Sequence, residues 1–427
     1  MTLTYGELAR RVDEAARDLE PGSCVPLTAR NTLSYVVAVH AILRAGAVLV
    51  PLDPSLPPAD LRGLEQRARS FAPGFGAAAI LFTSGTTGTP KAAVLTRANL
   101  EASAAASAAR LGTGAGDTWL ACLPMHHVGG LSILLRAARD GSAVEVHERF
   151  DAARVAEALA SGRVTSASLV ARSLERTLDA ARGRFSSALR VVLVGGGPSP
   201  AALLARARAA GLPVARTYGL TEAASQVATQ APGGEDDSCG SPLAGTEVRI
   251  DAEAEGAEGE VLVRGPTVMA GYTGEAPLPP GGWLRTGDLG RLDAGGRLVV
   301  LDRRTDLIVT GGENVSPARV EAALAAHPAV DEACVAGVPD PSWGARVGAM
   351  IRRRAPVDPA DLDRHCRARL APHEVPRIVV FTEAALPRTA AGKLDRRRVR
   401  EVLAEAPAHR SMGPGGSASS REMQPEA

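Results

Sequence analysis

From residue 1 to about 300, short runs of aliphatic and β-branched residues alternate with Ala-rich stretches of helical periodicity. This alternation predicts an α/β protein, with helices layered on sheet. Ala78 to Phe82 predicts a strand running into a Thr/Gly loop, and Asn99 to Leu111 a capped helix stopped by Gly112. Arg190 to Val194 repeats the pattern through Gly195-Gly196-Gly197, with Ser199 as cap, Pro200 as first helical residue and Gly211 as the stop. After Gly240 the texture changes to hairpin-like pieces, Thr246–Ile250, Gly259–Arg264 and Gly296–Leu301, which predict a β-rich subdomain over about 240–302. A boundary is expected at Asp302–Asp306, so that residues 1–302 form the large N-terminal domain. Beyond it, a helix from Ser316-Pro317 to His327, strands around Val335 and Val347–Ile351, and a helix near Asp361–Leu370 predict a small α+β domain over 303–408. The Gly/Ser/Pro-rich stretch 409–427 has no apolar periodicity and is expected to be disordered.

Composition narrows the function. A chain of 427 residues suggests two or three domains at about 150 residues each and excludes a single small scaffold. Its 48 cationic and 47 acidic side chains leave a net charge of +1, which argues against nucleic acid as a partner. The runs Arg352–Arg354 and Arg396–Arg398 are expected to be solvated helix faces. Cysteines 24, 122, 239, 334 and 366 include no Cys-x-x-Cys pair, so neither a disulfide framework nor a zinc site is expected. Met1–Glu7 has no basic-then-apolar signal pattern, and the apolar stretch Ser34–Val50 is interrupted by His40, Arg44 and Gly46. A cytoplasmic protein without a membrane span is expected.

Only two of the cationic residues are lysines, Lys91 and Lys393. Where almost every positive charge is an arginine, a surviving lysine is a candidate for chemistry that needs a compact ammonium on a flexible stem. Lys91 ends the run Thr83-Ser84-Gly85-Thr86-Thr87-Gly88-Thr89-Pro90-Lys91, expected to lie between a strand and a helix. Its glycines permit close backbone approach and its hydroxyls and amides donate to oxyanions, which suits polyphosphate. The spacing is not that of a Walker A loop, because Pro90 precedes the lysine and Ala92 follows it.

This loop resembles the phosphate loop of the adenylate-forming superfamily of acyl- and aryl-CoA synthetases, luciferases and peptide-synthetase adenylation domains. Tyr218–Glu222, Thr286–Asp288, Asp302–Asp306, Gly311–Asn314 and Pro387–Lys393 resemble further signatures of that family in the same order. The resemblance implies activation of a carboxylic acid by ATP to an acyl-adenylate, followed by transfer to a thiol, usually that of CoA. It implies that Thr83, Ser84, Gly85, Thr86, Thr87, Gly88 and Lys91 hold the β- and γ-phosphates, with Glu222 and Thr86 at Mg²⁺. The Gly195-Gly196-Gly197 backbone and the Tyr218 ring would sandwich adenine, Gly219 and Thr221 would complete the ATP site, and Asp288 and Arg303 would bind ribose. Lys393 would stabilise the charge that grows on the α-phosphate. Rotation of the small domain about Thr305 would then replace Lys393 by Gly311 and Gly312, which line the CoA channel.

His127, after Pro124-Met-His126, would gate the acid pocket beside Gly196, and Arg136 on the next helix could reach a second substrate carboxylate. The segment between Asp53 and Thr83 is shorter than the family pattern, and Ala92 stands where a glycine is usual. A different acid:CoA ligase or a carrier-loading adenylation enzyme are the rival readings, and oligomeric state is left open.

Overall fold

The structure is a computed structural model that describes residues 2–72, 74, 76–83, 91–197, 199–254, 256–303, 306–310, 313–340, 343–389 and 393–406, without the side chains of Asp302, Arg303 and Asn314. The chain divides into two compact units, one of Met1–Thr286 with Gly290–Val300, the other of Gly287–Leu289 with the chain from Leu301 onward.

In the first unit, the strands Ser241–Pro242, Ser225–Thr229, Val214–Leu220, Val191–Val194, Ser166–Leu169, Thr118–Ala121 and Ala143–Val146 form one sheet in that spatial order. Pairing is parallel from Val214–Leu220 through to Ala143–Val146 and antiparallel beyond Val214–Leu220. The central strand Val191–Val194 is a continuous, fully buried apolar run, as expected where helices cover both faces of a parallel sheet. A second sheet runs Cys24–Thr28, Val48–Leu52, Ala77–Thr83, Lys91–Thr96, Gly271–Tyr272. The helices Leu33–Arg44, Arg97–Leu111 and Val128–Asp140 join the two sheets in one core that includes Val39, Ile42, Leu49, Leu95, Trp119, Met125 and Ile133. Burying each such side chain contributes about 1.5–3 kcal/mol. A four-stranded sheet, Glu247–Asp251, Gly259–Arg264, Leu284–Leu292 and Leu298–Arg303, is the β-rich part.

Three local expectations change. The strand-loop-helix expected around Lys91 has an extra strand: Lys91–Thr96, with Ala92 to Leu95 buried, comes before the helix Arg97–Leu111. Thr83 pairs with Lys91 antiparallel, so the chain returns as a strand at Lys91 and reaches a helix only at Arg97. Pro200 is the N-cap of Ala201–Ala209, with extended ψ of 136°, and not its first helical residue. The helix near Asp361 begins earlier, at Pro359, because the Asp358 side chain accepts from the Ala360 amide at 2.9 Å.

The second unit is built on the antiparallel strands Val330–Asp340 and Gly344–Arg353, with Ile378–Thr382 parallel to the latter. Side chains alternate across this sheet. Val335, Val347 and Ile351 pack under Val320, Leu324 and Leu362, whereas Cys334, Ala336 and Val338 pack under Val399 and Leu403. Of the arginine runs, Arg352 and Arg353 end a strand and are not on a helix, whereas Arg397 and Arg398 are exposed on the helix Arg396–Glu405 as expected and only Arg396, which opens it, has a largely buried side chain. No helix among the described residues is long and apolar enough to cross a membrane.

Candidate active site

Several expected site residues of the first unit, Gly195–Gly197, Tyr218 and His127 among them, lie at the carboxyl ends of parallel strands, where open α/β sheets bind ligands. Gly195–Gly197 follow Val191–Val194, and Tyr218 lies on the adjacent parallel strand, where Val194 is paired with Arg216. A side chain at Gly195 would bring its Cβ within 2.7 Å of Thr217 Cγ2, so the two segments touch through bare backbone. Tyr218 is buried. Gly219 is paired with Gln226 on the antiparallel neighbour, and a Cβ there would stand 1.8 Å from the Ser225 carbonyl oxygen.

Between those strands the chain makes a single turn, Thr221–Ala223, that carries Glu222. Ala224 (φ 52°) and Ser225 (φ 109°) follow in the left-handed half of backbone space, which costs of order 1–3 kcal/mol at each non-glycine residue. The surrounding structure holds them there, with the Ser103 hydroxyl donating to the Ala224 carbonyl at 2.6 Å.

Lys91 starts its strand with a side chain 44% exposed. Its Nζ lies 3.0 Å from Glu275 Oε1 and 4.5 Å from the centre of the Tyr272 ring, and the Tyr272 hydroxyl donates to Glu222 Oε1 at 2.8 Å. Lys91 and Glu222 therefore meet through Tyr272. Neither Tyr272 nor Glu275 was legible as a site residue, because the strand Gly271–Tyr272 is two residues long and shows no periodicity. Its Gly-Tyr-Thr-Gly loop in a chain with four tyrosines was the one available signal. Among the described residues no group of three or more His, Cys, Asp or Glu side chains could cage a metal. A single hard carboxylate, with no cage of further ligands, is the donor set that suits Mg²⁺ held largely by substrate phosphates.

His126 and His127 lie beyond the carboxyl end of Thr118–Ala121, with their rings 4.2 Å apart, and His127 caps the helix Val128–Asp140. His126 Nε2 is 3.6 Å from Asp53 Oδ2. Burial pulls the His126 pKa below its ordinary 6.5, against the opposing pull of Asp53. Asp53 gave no sequence signal, since it comes from the end of Val48–Leu52 in the other sheet.

Arg136 is 3% exposed and faces the helix–sheet core. Its guanidinium donates to the Ser132 carbonyl (3.2 Å), the Ser132 hydroxyl (3.1 Å), the Ser107 hydroxyl (2.9 Å) and Gln226 Oε1 (3.4 Å), and stacks 4.5 Å over Trp119. Burial pushes its pKa down to about 10. The fork expected to reach a substrate carboxylate is thus directed at protein oxygens. Ser132 carries the network onward to a small cavity lined by Leu100, Ser103, Val128, Leu131 and Ala224.

In the second unit, Lys393 is exposed, and its carbonyl accepts from the Thr389 amide at 2.8 Å while Arg388 bridges to Leu394. Just beyond it, Arg396 forms a two-pronged ion pair with Glu321, lies 3.4 Å from Asp306 and donates to the Val335 carbonyl at 3.1 Å. Asp288 is buried on the strand Leu284–Leu292. Ser84, Gly85, Thr86, Thr87, Gly88, Thr305, Gly311, Gly312 and the Arg303 side chain lie outside the described residues.

A strained turn carrying a carboxylate, a lysine on a strand following a Ser/Thr/Gly loop, and a separate small unit carrying the second lysine define a nucleotide-dependent acid-activating enzyme. The chain belongs to the AMP-binding enzyme family: that family matches residues 1–70 and 66–273, and the AMP-binding enzyme C-terminal domain matches residues 319–393. Among its relatives, the 2-succinylbenzoate–CoA ligase of Bacillus licheniformis is 44% identical over 334 residues, 76% of this chain and 70% of that protein. The solved structure of o-succinylbenzoate CoA synthetase from Bacillus subtilis, in complex with the acyl-adenylate intermediate OSB-AMP, superposes with a TM-score of 0.83 at 34% identity, covering 94% of this chain and 93% of the other. ATP-bound MatB from Rhodopseudomonas palustris gives a TM-score of 0.85 at 26% identity, covering 94% and 93%.

Proposed function

We propose that this chain is an ATP-dependent, AMP-forming acid–thiol ligase that converts o-succinylbenzoate through its acyl-adenylate to o-succinylbenzoyl-CoA, a step of menaquinone biosynthesis. The carrying observation is the meeting of Lys91 and Glu222 through Tyr272 at the end of the second sheet, in a chain whose relatives bear that activity. In this reading Lys91 and the Thr83–Thr87 hydroxyls hold the β- and γ-phosphates, with Glu222 and Thr86 at the Mg²⁺ that neutralises them. Gly195–Gly197 and Tyr218 sandwich adenine, Gly219 and Thr221 complete the ATP site, and Asp288 and Arg303 accept the ribose.

His127 and Gly196 line the acid pocket, and Arg136 acts on it through Ser132. Lys393 touches the α-phosphate and the incoming carboxylate while negative charge grows between them, a contact worth most in the transition state. Thioester formation releases AMP and has no such need. Turning about Thr305 therefore exchanges Lys393 for Gly311 and Gly312, past which the pantetheine arm of CoA reaches the adenylate. We place the enzyme in the cytoplasm, where its five free, buried cysteines stay reduced.

The test is pyrophosphate and AMP release with a panel of aromatic and aliphatic acids, with and without CoA. Pyrophosphate should appear with o-succinylbenzoate alone, and CoA should turn the enzyme over. ADP as product would exclude the reaction class, and a monocarboxylic acid outperforming o-succinylbenzoate would exclude the substrate.

A further inference from the structure

The two charged groups on which the nucleotide reading rests have opposite signs and come close together, yet each is bound to something else. Gly271–Tyr272 pairs antiparallel with Lys91–Thr96, placing Tyr272 opposite Ala93. Strand side chains alternate between faces, so Lys91, two positions from Ala93, stands on the same face as Tyr272 in the diagonal cross-strand relation. This register puts the ammonium 4.5 Å above the ring centre. At the other end of the ring, the phenol hydroxyl donates to Glu222 Oε1 at 2.8 Å.

The segment that bears Tyr272 is itself tied down. The Met269 amide donates to the Glu222 carbonyl at 2.8 Å, and the Asn99 amide nitrogen clamps the carbonyls of Pro266 and Val268 at 2.7 and 2.8 Å.

We propose that Tyr272 is a positioning residue for the nucleotide end of the site, its ring seating the Lys91 ammonium and its hydroxyl fixing the Glu222 carboxylate. The proposal rests on the reading of Lys91 as a phosphate contact and Glu222 as a cation contact. A lysine and a glutamate free to reach each other close into an ion pair, which neutralises the charges that ATP and its divalent cation require. A tyrosine between them offers the ammonium a negative ring face and the carboxylate an O–H donor. The ring thus keeps Lys91 from closing on Glu222, and the ion pair that Lys91 does make is the exposed, exchangeable one with Glu275 at 3.0 Å.

The experiment is a calorimetric titration of the full chain with a non-hydrolysable ATP analogue, in EDTA and across a magnesium series, alongside thermal melting. Tyr272→Phe keeps the ring and removes the hydroxyl. The magnesium concentration needed for half-maximal nucleotide affinity should rise on the order of ten-fold, the loss of a hydrogen bond to a charged group, while affinity in EDTA is unchanged. Tyr272→Leu should also lower affinity in EDTA a few-fold, because Lys91 loses its seat. In a Glu222→Gln background Tyr272→Phe should shift magnesium dependence no further. Wild-type magnesium dependence in Tyr272→Phe, or a shift fully additive with Glu222→Gln, overturns the proposal. Lys91→Ala in the same titration tests the nucleotide reading by itself: wild-type ATP affinity in that variant ends that reading, whatever Tyr272 does.

Discussion

Lys91 and Arg136 are both cations that the sequence offers to an anionic substrate, and the fold treats them in opposite ways. The Lys91 side chain is 44% exposed and its ammonium is held by Glu275 and a tyrosine ring, contacts worth about 1 kcal/mol or less apiece at a surface. Arg136 is buried, with four hydrogen bonds to protein oxygens and an indole beneath it. An incoming phosphate can replace what Lys91 holds at little cost. A carboxylate approaching Arg136 would have to break a buried network whose serine and glutamine oxygens would then lose their donor. Charge alone does not make a binding residue; exchangeable partners do.

The comparison can be broken at the exposed end first. Lys393, the other exposed lysine, should show the largest effect: Lys393→Ala is expected to slow adenylation by about two orders of magnitude or more while leaving thioester formation from supplied acyl-adenylate nearly intact, as read by single-turnover assays of each half-reaction. Equal losses in both half-reactions would remove the argument for domain rotation. At the buried end, Arg136→Ala should cost about 2–4 kcal/mol in urea unfolding, from lost hydrogen bonds and the cavity left behind. Its kcat/KM should fall by the same factor for o-succinylbenzoate and for an analogue lacking the ring carboxylate; a loss confined to the dicarboxylic acid would make Arg136 a direct anchor after all.

A smaller effect concerns pH. The folded state depresses the His126 pKa below 6.5 chiefly through burial, so protons bind the unfolded chain more readily there. Stability should be level above about pH 6.5 and decline as pH falls below it, and His126→Gln should flatten that decline in melting temperature. An unchanged slope in the variant would assign the decline to other groups. The smallest effect is expected at Glu275, the exchangeable partner of Lys91. Glu275→Gln should lower the ATP concentration for half-maximal adenylation by about two- to five-fold, since phosphate no longer competes with a carboxylate. A rise in that concentration would mean that Glu275 orients Lys91 instead of occupying it.

Much of this was legible in order along the chain. Strand Ala77–Thr83, helix Arg97–Leu111 with its left-handed Gly112 stop, and the strands near 191, 247 and 259 follow from hydrophobic period and end signals that act within a few residues. The ordered motifs carried the family, and the rarity of lysine singled out Lys91 and Lys393. The strand Lys91–Thr96 was missed because its Ala-rich apolar run has no period of its own and becomes a strand only by pairing with its neighbours.

What the linear chain held by itself was chemistry in short windows: loop composition, caps, turn glycines and residue types. Tertiary structure decided which of those groups share a surface and which are consumed. Tyr272 reaches Glu222 and Lys91 only because a two-residue strand closes the edge of a sheet. Arg136 turns inward only because Ser107, Gln226 and Trp119, from three other elements, converge on it. Local windows encode backbone preference through sterics and short-range hydrogen bonds. Burial and partner choice depend on contacts between distant residues, which exist only once the sheets have assembled.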